Sequence, residues 1–430
     1  MNRPPQPGPH DAPAAATTAP GAEPASRVPL WVLALGTTLG MQTVASALDQ
    51  SLPIIAPLLT AGTGMAPERI GNLSSLNSLG TVLFLLFGPP LLARLGPVRM
   101  LQAGALCAVL GLAIAASGWW PALIFAALIM GAGYGPSPPA GSRILNATAP
   151  ARHRTLIFSI KQAGAPAGAA LAGLILAPVA AAFGWKAALL VSMGIGLGAA
   201  CLIAPARRRL DTERDPARSI RPAALFHPRV VAAPFRLLAR NRILLTVSGL
   251  AFSFAMVQGA LFSFSVTYMV AALHLPLATA GLVYACMQFA GVFARIFLGW
   301  LADRTGTPSR NLTAQAFVAA ALVVCYGMLP DTPAVSVAAL LAGATGFFAA
   351  SWNGIYMAEI ARLSPADQIV EATSSSTLIA FLGYIIGPSL FSVLVTLTGE
   401  YRIPFFVIAA QLALMGVAQV VVLLRRRSGR

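Results

Sequence analysis

The sequence predicts an all-α polytopic membrane protein, with twelve transmembrane helices in two pseudo-symmetric six-helix bundles. Three observations lead to this class: the composition, the spacing of the apolar runs, and one long basic segment that divides the runs into two equal groups. Hydrophobic residues make up 57% of the 430 residues and charged residues only 10%, which is far too apolar for a soluble enzyme. Helices are the expected spanning elements because each one satisfies its own backbone hydrogen bonds in lipid.

The apolar runs give the helix positions. A helix needs about 20 apolar residues to cross about 30 Å of hydrocarbon, and about twelve runs are long enough. The predicted helices cover residues 30–58, 70–93, 99–118, 120–145, 156–183, 185–204, 243–272, 276–300, 311–329, 333–361, 372–397 and 403–424. The fourth contains GPSPPAG and the tenth has glycines around Gly346, so each is as readily a broken or kinked helix as a continuous one.

The long basic segment leaves six predicted helices on each side, which indicates an internal duplication. Residues 1–28 are rich in Pro, Ala and Gly and lack the continuous apolar core of a signal peptide. The predicted organisation is a disordered cytoplasmic tail over 1–28, an N-terminal six-helix bundle over 29–205, a basic cytoplasmic linker over 206–241, a C-terminal six-helix bundle over 242–425 and a basic cytoplasmic tail over 426–430.

Topology explains the formal net charge of +16. Basic residues cluster after the second, fourth, sixth and eighth helices, whereas the opposite gaps hold little beyond Arg69, Lys186 and Arg402. This positive-inside pattern predicts a multi-pass protein of the plasma (inner) membrane with both termini in the cytoplasm. The basic loops then face anionic lipid headgroups, and we expect no nucleic-acid partner.

Two pairs of similar sequences occur at equivalent positions of the two predicted halves. PPLLARLG (89–96) ends the second helix and GWLADRTG (299–306) ends the eighth, with Ala93 in the first copy where the second has Asp303. GAPAG (164–168) in the fifth helix and GYIIGP (383–388) in the eleventh each place two glycines four residues apart. That spacing lets helix backbones approach closely in lipid.

The segment GWLADRTG matches the G-x-L-x-D-R-x-G loop motif, and the chain resembles the major facilitator superfamily of secondary transporters over about 30–425. The resemblance implies two bundles that rock about a central cavity and expose it to one side of the membrane at a time. The chain departs from the family where Ala93 and Pro97 replace an acidic and a basic position. The Gly-Pro signature of drug/proton antiporters is present only loosely, as Gly164-Ala165-Pro166, so the antiporter assignment is not carried over.

The resemblance also implies a gate at the end of the eighth helix, which we predict near Gly299 to Ala302. Asp303 would lie at the surface and meet the positive N-terminal end of a helix in the other half, near Thr155, when that side of the cavity closes. This closing contact of Asp303 is called the latch. Ala93, the equivalent residue in the first copy, has no carboxylate and cannot make the corresponding contact, so the latch is expected to be asymmetric. The gating candidates are Arg94, Gly299, Asp303, Arg304, Gly306 and Glu359.

Polar side chains inside the apolar helices are the candidates for substrate contact, because a charge in hydrocarbon costs roughly 3 kcal/mol on insertion scales. Thr38, Gln42, Ser46 and Asp49 share one helix face, and so do Tyr284, Gln288 and Arg295. The alternatives are a solvated Asp49 near a cavity mouth, and snorkelling of Lys161 and Arg295 to the headgroups. The substrate-binding candidates are Gln42, Asp49, Tyr134, Lys161, Tyr284, Gln288, Arg295, Trp352, Asn353 and Tyr356.

The charges favour an anionic solute, because the deep cations Lys161 and Arg295, with Arg143, outnumber Asp49 and Glu359. We therefore predict a secondary transporter, ion-coupled, for a small organic anion. No histidine lies at a span centre, so proton coupling would use a carboxyl group, Asp49 first. Glu359 could instead pair with Arg362 at a helix end.

Two other functions stay open. The first is a drug/proton antiporter that exports amphipathic compounds, favoured by the phenylalanines at 252, 254, 262 and 264, and the second is a non-transporting membrane sensor. The four cysteines lack paired spacing and no phosphate-binding loop occurs, so we expect no metal, cofactor or enzyme activity. We expect a functional monomer whose partners are a small-molecule solute, protons and the lipid bilayer.

Overall fold

The structure, a computed structural model, describes residues 29–211, 214–215, 242–364 and 369–428. The predicted tail 1–28, most of the linker and the last two residues lie outside the described residues. The N-terminal half contains α1 (Leu30–Asp49), α2 (Ser51–Thr63), α3 (Ile70–Phe87), α4 (Pro89–Leu95), α5 (Pro97–Ala115), α6 (Trp120–Tyr134), α7 (Ser137–Thr148), α8 (Arg154–Phe183), α9 (Trp185–Leu202) and α10 (Arg207–Leu210). The C-terminal half contains α11 (Arg242–Ala271), α12 (Leu277–Thr305), α13 (Pro308–Gly327), α14 (Val335–Ala349), α15 (Asn353–Leu363), α16 (Ile369–Thr398) and α17 (Arg402–Ser428).

Ten stretches in the described part of the chain are long and apolar enough to cross a membrane. Two further predicted helices bring the number to twelve. One is the pair α6 and α7, which is interrupted at Gly135 and Pro136, and the other is α13, whose first turns carry the polar sequence PSRNLTAQ.

Four of the predicted helices are broken, and proline accounts for most of the breaks. The fourth and tenth helices, for which the sequence left a broken and a continuous form equally open, are both broken, the latter between α14 and α15. The predicted helices 30–58 and 70–93 are also divided, the first at Gln50 and the second at Gly88. Pro53 has no N–H to donate to the carbonyl of Asp49, and Pro89 follows Gly88 directly.

Paired glycines hold each half together in the same way. Gly164 and Gly168 of α8 face the backbone of α1, and Gly383 and Gly387 of α16 face the backbone of α11. A Cβ at any of these positions would press against a carbonyl oxygen of the facing helix. The helix pairs α1/α8 and α11/α16 are therefore equivalent contacts in the two halves, as the glycine spacing predicts.

The two halves contact each other mainly at one end of the molecule, called the closed end below. There Gly173 of α8 lies against Gly281 of α12, and a Cβ on Gly173 would lie 2.7 Å from the Gly281 carbonyl oxygen. Ser389 of α16 donates to the hydroxyl of Ser75 in α3 at 2.8 Å, and Ser392 donates to the carbonyl of Glu68 at 2.7 Å. These contacts lie at the end away from the basic loops.

Candidate functional site

A cavity of about 390 Å³ lies between the halves, bounded by the closed end on one side. Seven of the ten predicted substrate-binding residues line it, from both halves: Gln42, Asp49, Tyr134, Gln288, Arg295, Asn353 and Tyr356. Lys161, Tyr284 and Trp352 do not line it. Gln42, Ser46 and Asp49 of the α1 stripe thus line this cavity, whereas Thr38 does not, and Gln288 and Arg295 of α12 line it from the other half.

Residues of α1 form an ordered polar wall. The Gln42 amide donates to the hydroxyl of Tyr134 at 3.2 Å and accepts a hydrogen bond from Ser137 at 2.9 Å. Two turns further along, the Asp49 carboxylate accepts a hydrogen bond from the Gln50 amide at 3.0 Å. Asp49 is the last residue of α1 and Gln50 forms the break after it, and both line the cavity.

Arg295 is the cation of this cavity, and backbone oxygens are its partners. Its guanidinium donates to the carbonyl of Gln162 in the opposite half at 2.9 Å and to the carbonyl of Ala350 at 3.5 Å. Nε of the same group forms no hydrogen bond, and within the described chain no carboxylate lies within ion-pair distance. The positive charge is therefore held in place by dipoles without being neutralised.

Lys161 is buried away from the cavity. Its side chain is 1% exposed and packs against α7, where a Cβ on Gly141 would lie 2.7 Å from Lys161 Cε. Nζ donates to Oε1 of Gln162 at the long distance of 3.4 Å. Lys161 and Arg295, which both lie within predicted apolar helices, thus occupy different environments.

Tyr284 and Trp352 support cavity residues from behind. The Tyr284 hydroxyl donates to Oε1 of Gln50 at 2.7 Å and so bridges the two halves. Nε1 of Trp352 donates to Oε1 of Gln258 at 2.9 Å. Both side chains fix the position of an amide that does face the cavity.

Several cavity residues were missed by sequence reasoning. They are mainly uncharged amides and hydroxyls: Gln50, Asn77, Gln162, Gln258 and Tyr384. Each is polar within an apolar span, which is the signal that could have found them. None of these residues has a formal charge, so the positions of the charged residues do not indicate them.

The gating candidates are spread over the opposite end. The predicted end of the eighth helix is wrong, because α12 continues to Thr305 and stops where Gly306 adopts φ 62°, a left-handed conformation that suits glycine. Asp303 lies exposed in the last helical turn, and Arg304 stacks over Trp300 at 5.3 Å. The side chain of Thr155 lies outside the described residues, so the closing contact of Asp303 stays a prediction.

The other gating candidates have distinct surroundings. Glu359 is fully buried, accepts a hydrogen bond from Ser309 and forms an ion pair with Arg362 at 2.7 Å. Arg94 is exposed, and Gly299 faces open space. The expected pairing of Glu359 with Arg362 is therefore present on α15, beside the start of α13, and neither residue lines the cavity.

Asp211, an acidic residue of the predicted linker, lies beside PPLLARLG, the first copy of the motif. The Asp211 carboxylate accepts hydrogen bonds from the backbone N–H groups of Val98 at 2.7 Å and Arg99 at 3.2 Å, at the start of α5. Burial raises the pKa of Asp211, and these two hydrogen bonds oppose the shift. Asp215 N–H also donates to the Ala93 carbonyl at 3.0 Å. The first copy thus has its helix N-terminus capped within its own half.

A family model described as Major Facilitator Superfamily matches residues 30–375. The chain belongs to the Major Facilitator Superfamily. It is accordingly a multi-pass membrane protein and a secondary transporter of a small-molecule solute, not an enzyme, and the predicted twelve-helix fold of two bundles is confirmed.

Solved structures of this superfamily have the same fold. A bacterial homolog of the human lysosomal transporter Spinster, in an inward-facing and unoccupied conformation, matches with a TM-score of 0.67 at 14% identity, over 92% of this chain and 95% of that chain. The nucleoside transporter NupG matches with a TM-score of 0.73 at 14% identity, over 90% of this chain and 99% of that chain. At this identity the likeness shows the fold alone.

A curated superfamily member is similar over a shorter region. The hexuronate transporter of Bacillus subtilis (strain 168) is 27% identical over 156 residues, which is 36% of this chain and 37% of that protein. The match therefore spans little more than a third of the relative.

Proposed function

We propose that the protein transports a small organic anion together with a proton. The observation that carries this proposal is the Arg295 guanidinium, which lines the cavity with backbone carbonyls as its hydrogen-bond partners. A cation that lacks an acidic partner attracts an anion strongly where water is scarce. Its planar fork can also bind a carboxylate through two parallel hydrogen bonds.

Asp49 supplies the second half of the proposal. It is the acidic residue of the described cavity lining, as Arg295 is the basic one. When Asp49 is ionised the two charges cancel, and when it is protonated the cavity has one net positive charge. Proton binding and anion binding therefore favour each other, which is the thermodynamic requirement for symport.

The hexuronate transporter supports an anionic substrate class. That relative carries the name of an anionic sugar acid, although its match covers a minor part of either chain. The geometry around Arg295 supports the same class independently, because it rests on atoms of this chain alone.

We also propose that both termini and the basic loops lie on the cytoplasmic side of a bacterial inner membrane, as the positive-inside distribution predicts. The closed end then faces outward, and the structure represents a conformer open toward the cytoplasm. Rocking of the halves about the cavity would expose Arg295 and Asp49 to the other side.

The drug/proton antiporter is the second candidate, and Phe262 and Phe381 in the cavity lining favour it. Two of the other phenylalanines that suggested it stack on aromatic rings of the C-terminal half. Phe254 stacks on Trp352 with ring centroids 5.8 Å apart, and Phe264 stacks on Phe391 at 4.4 Å. An apolar cavity wall remains, but its cation would repel cationic drugs.

A ligand screen followed by uptake tests the proposal. Purified protein is heated with organic anions, including D-gluconate, D-glucuronate and succinate, and separately with cationic dyes. We expect an anion to raise the melting temperature, and an inside-alkaline pH gradient to drive its uptake into proteoliposomes. Stabilisation by the dyes alone would reject the anion proposal, and uptake that ignores the pH gradient would reject proton coupling.

A further inference from the structure

Gln288 is a cavity residue whose amide is left without a partner. It lines the same cavity as Arg295, two turns earlier on α12, so both side chains lie on one helix face. The residue is completely buried, and neither Oε1 nor Nε2 forms a hydrogen bond within the described protein. A buried amide without a partner destabilises the folded protein, because nothing compensates the desolvation of its polar atoms.

The neighbouring side chain does not relieve this cost. Tyr284 lies one helical turn before Gln288 and next to it, but its hydroxyl donates to Oε1 of Gln50. No hydrogen bond of acceptable geometry connects Tyr284 to the Gln288 amide.

Other glutamines of the cavity provide an internal comparison. Gln42 is bonded to Tyr134 and Ser137. Oε1 of Gln258 accepts two hydrogen bonds, one of which comes from Tyr384 at 2.8 Å. These amides are bonded to neighbouring side chains, whereas neither polar atom of Gln288 has a hydrogen-bond partner within the described protein.

Two residues of the opposite half that line the same cavity also have an unpaired polar atom. Oδ1 of Asn77 and Oγ of Ser74, both on α3, have no hydrogen-bond partner in the described structure and line the cavity. Asn77 is 8% exposed. The cavity lining therefore combines polar residues of both halves with the cation Arg295.

From these contacts we infer that Gln288 determines specificity for hydroxyl groups, so that the transported anion is a hydroxylated carboxylate such as a sugar acid. The inference rests on the proposed function, because it requires the carboxylate of the same ligand to bind Arg295. Gln288 and Arg295 lie seven residues apart, which is about 10 Å along the helix axis. An extended polyhydroxy acid can reach both groups, whereas acetate or lactate is too short.

An amide side chain suits this role because it both donates and accepts. A hydroxyl group also does both, so one Gln288 amide can form two hydrogen bonds with neighbouring hydroxyls. A site that is built to bind hydroxyls rejects the analogue that lacks them, since its buried polar groups are then left unpaired.

The test compares two six-carbon monocarboxylates, D-gluconate and hexanoate, by titration against the purified full-length protein. The wild type should bind D-gluconate at least about tenfold more tightly than hexanoate. Gln288→Met, which keeps the side-chain volume, should weaken D-gluconate about tenfold or more and leave hexanoate unchanged. Gln288→Asn should recover part of the preference, and Arg295→Gln should weaken both anions.

The outcomes separate the two proposals. If the wild type binds both anions equally, or if Gln288→Met keeps the preference, the specificity inference is wrong while anion transport stands. If the wild type binds neither anion nor any other carboxylate, both proposals fail. Elution of Gln288→Met as a monodisperse peak checks its folding, and Gln288→Leu, which also lacks the amide, gives the same comparison if that variant does not fold.

Discussion

Arg295 and Lys161 have the same charge and similar sequence surroundings, yet only Arg295 reaches the cavity. Both lie within long helices, and both could have snorkelled to the headgroups. Arg295 spans the interface to Gln162 of the other half, whereas the ammonium of Lys161 is enclosed against α7. The carbonyls around Arg295 orient its charge, and the ligand would complete its coordination.

The first residue-scale prediction compares these two cations. Arg295→Gln should reduce anion affinity about 10- to 100-fold, because it removes a charged hydrogen bond worth about 1.5–3 kcal/mol. Lys161→Gln should reduce uptake less. Competition binding and initial uptake rates in proteoliposomes measure both effects, with Arg310→Gln as a control at an exposed position. A larger loss in Lys161→Gln than in Arg295→Gln would contradict the assignment.

The second residue-scale prediction concerns Asp49. Asp49→Asn resembles the protonated carboxyl group, since it is neutral and keeps its position beside Gln50. The variant should lose accumulation driven by a pH gradient but retain exchange of anion across the membrane. Counterflow of labelled anion against unlabelled anion measures the exchange. Accumulation at the wild-type level would show that Asp49 does not carry the proton.

At the scale of single elements, small residues decide how close two helices come. Gly173 and Gly281 bring α8 and α12 into backbone contact at the closed end, while hydrogen bonds from Ser389 and Ser392 join α16 to the N-terminal half. A backbone contact of this kind does not tolerate an added methyl group, because no side-chain rotation can move that group away from the facing backbone. The closed end is therefore sensitive to any added Cβ.

We predict that Gly173→Ala shifts the halves apart at the closed end. The added Cβ would lie 2.7 Å from the Gly281 carbonyl oxygen, which is too close for an unshifted interface. Spin labels at Ser117 and Thr332, in a variant whose native cysteines are replaced by serine, should give a distance distribution with more of the longer distances.

Gly194→Ala is the matched control, because Gly194 is an exposed helical glycine with open space around it. Gly194→Ala gains helix propensity as Gly173→Ala does, but its added Cβ does not press against a facing helix. The same distance distribution in both variants would show that this contact does not hold the closed end together.

At the scale of the whole molecule, the two copies of the motif, PPLLARLG and GWLADRTG, differ in their contacts. In the first, Asp211 from the linker caps α5 within the N-terminal half. In the second, Asp303 remains exposed at the end of α12 and is available for a contact between the halves. A carboxylate near a helix N-terminus gains about 0.3–1 kcal/mol, which can bias two conformations of similar free energy.

We predict that Asp303→Asn slows transport about two- to fivefold by weakening the conformer in which the basic-loop end is closed. Initial uptake rates measure the effect, together with distances between spin labels at Arg152 and Arg310. Glu400→Gln is the control, because Glu400 is an exposed acid on the gap opposite to the basic loops. Normal transport by Asp303→Asn would refute the latch.

The sequence by itself determined the number of helices, their approximate positions and the family motif, because the spanning length and the apolar composition are local properties of the chain. It also identified the α1 stripe with Gln42 and Asp49, since one helix face must avoid lipid. Only the tertiary structure decided which polar groups meet. The separation of Lys161 from Arg295, the contact of Asp211 with α5 and the unpaired amide of Gln288 all depend on neighbouring helices. The physical reason is that periodicity defines a face of a helix, whereas the packing of the other helices decides what that face touches.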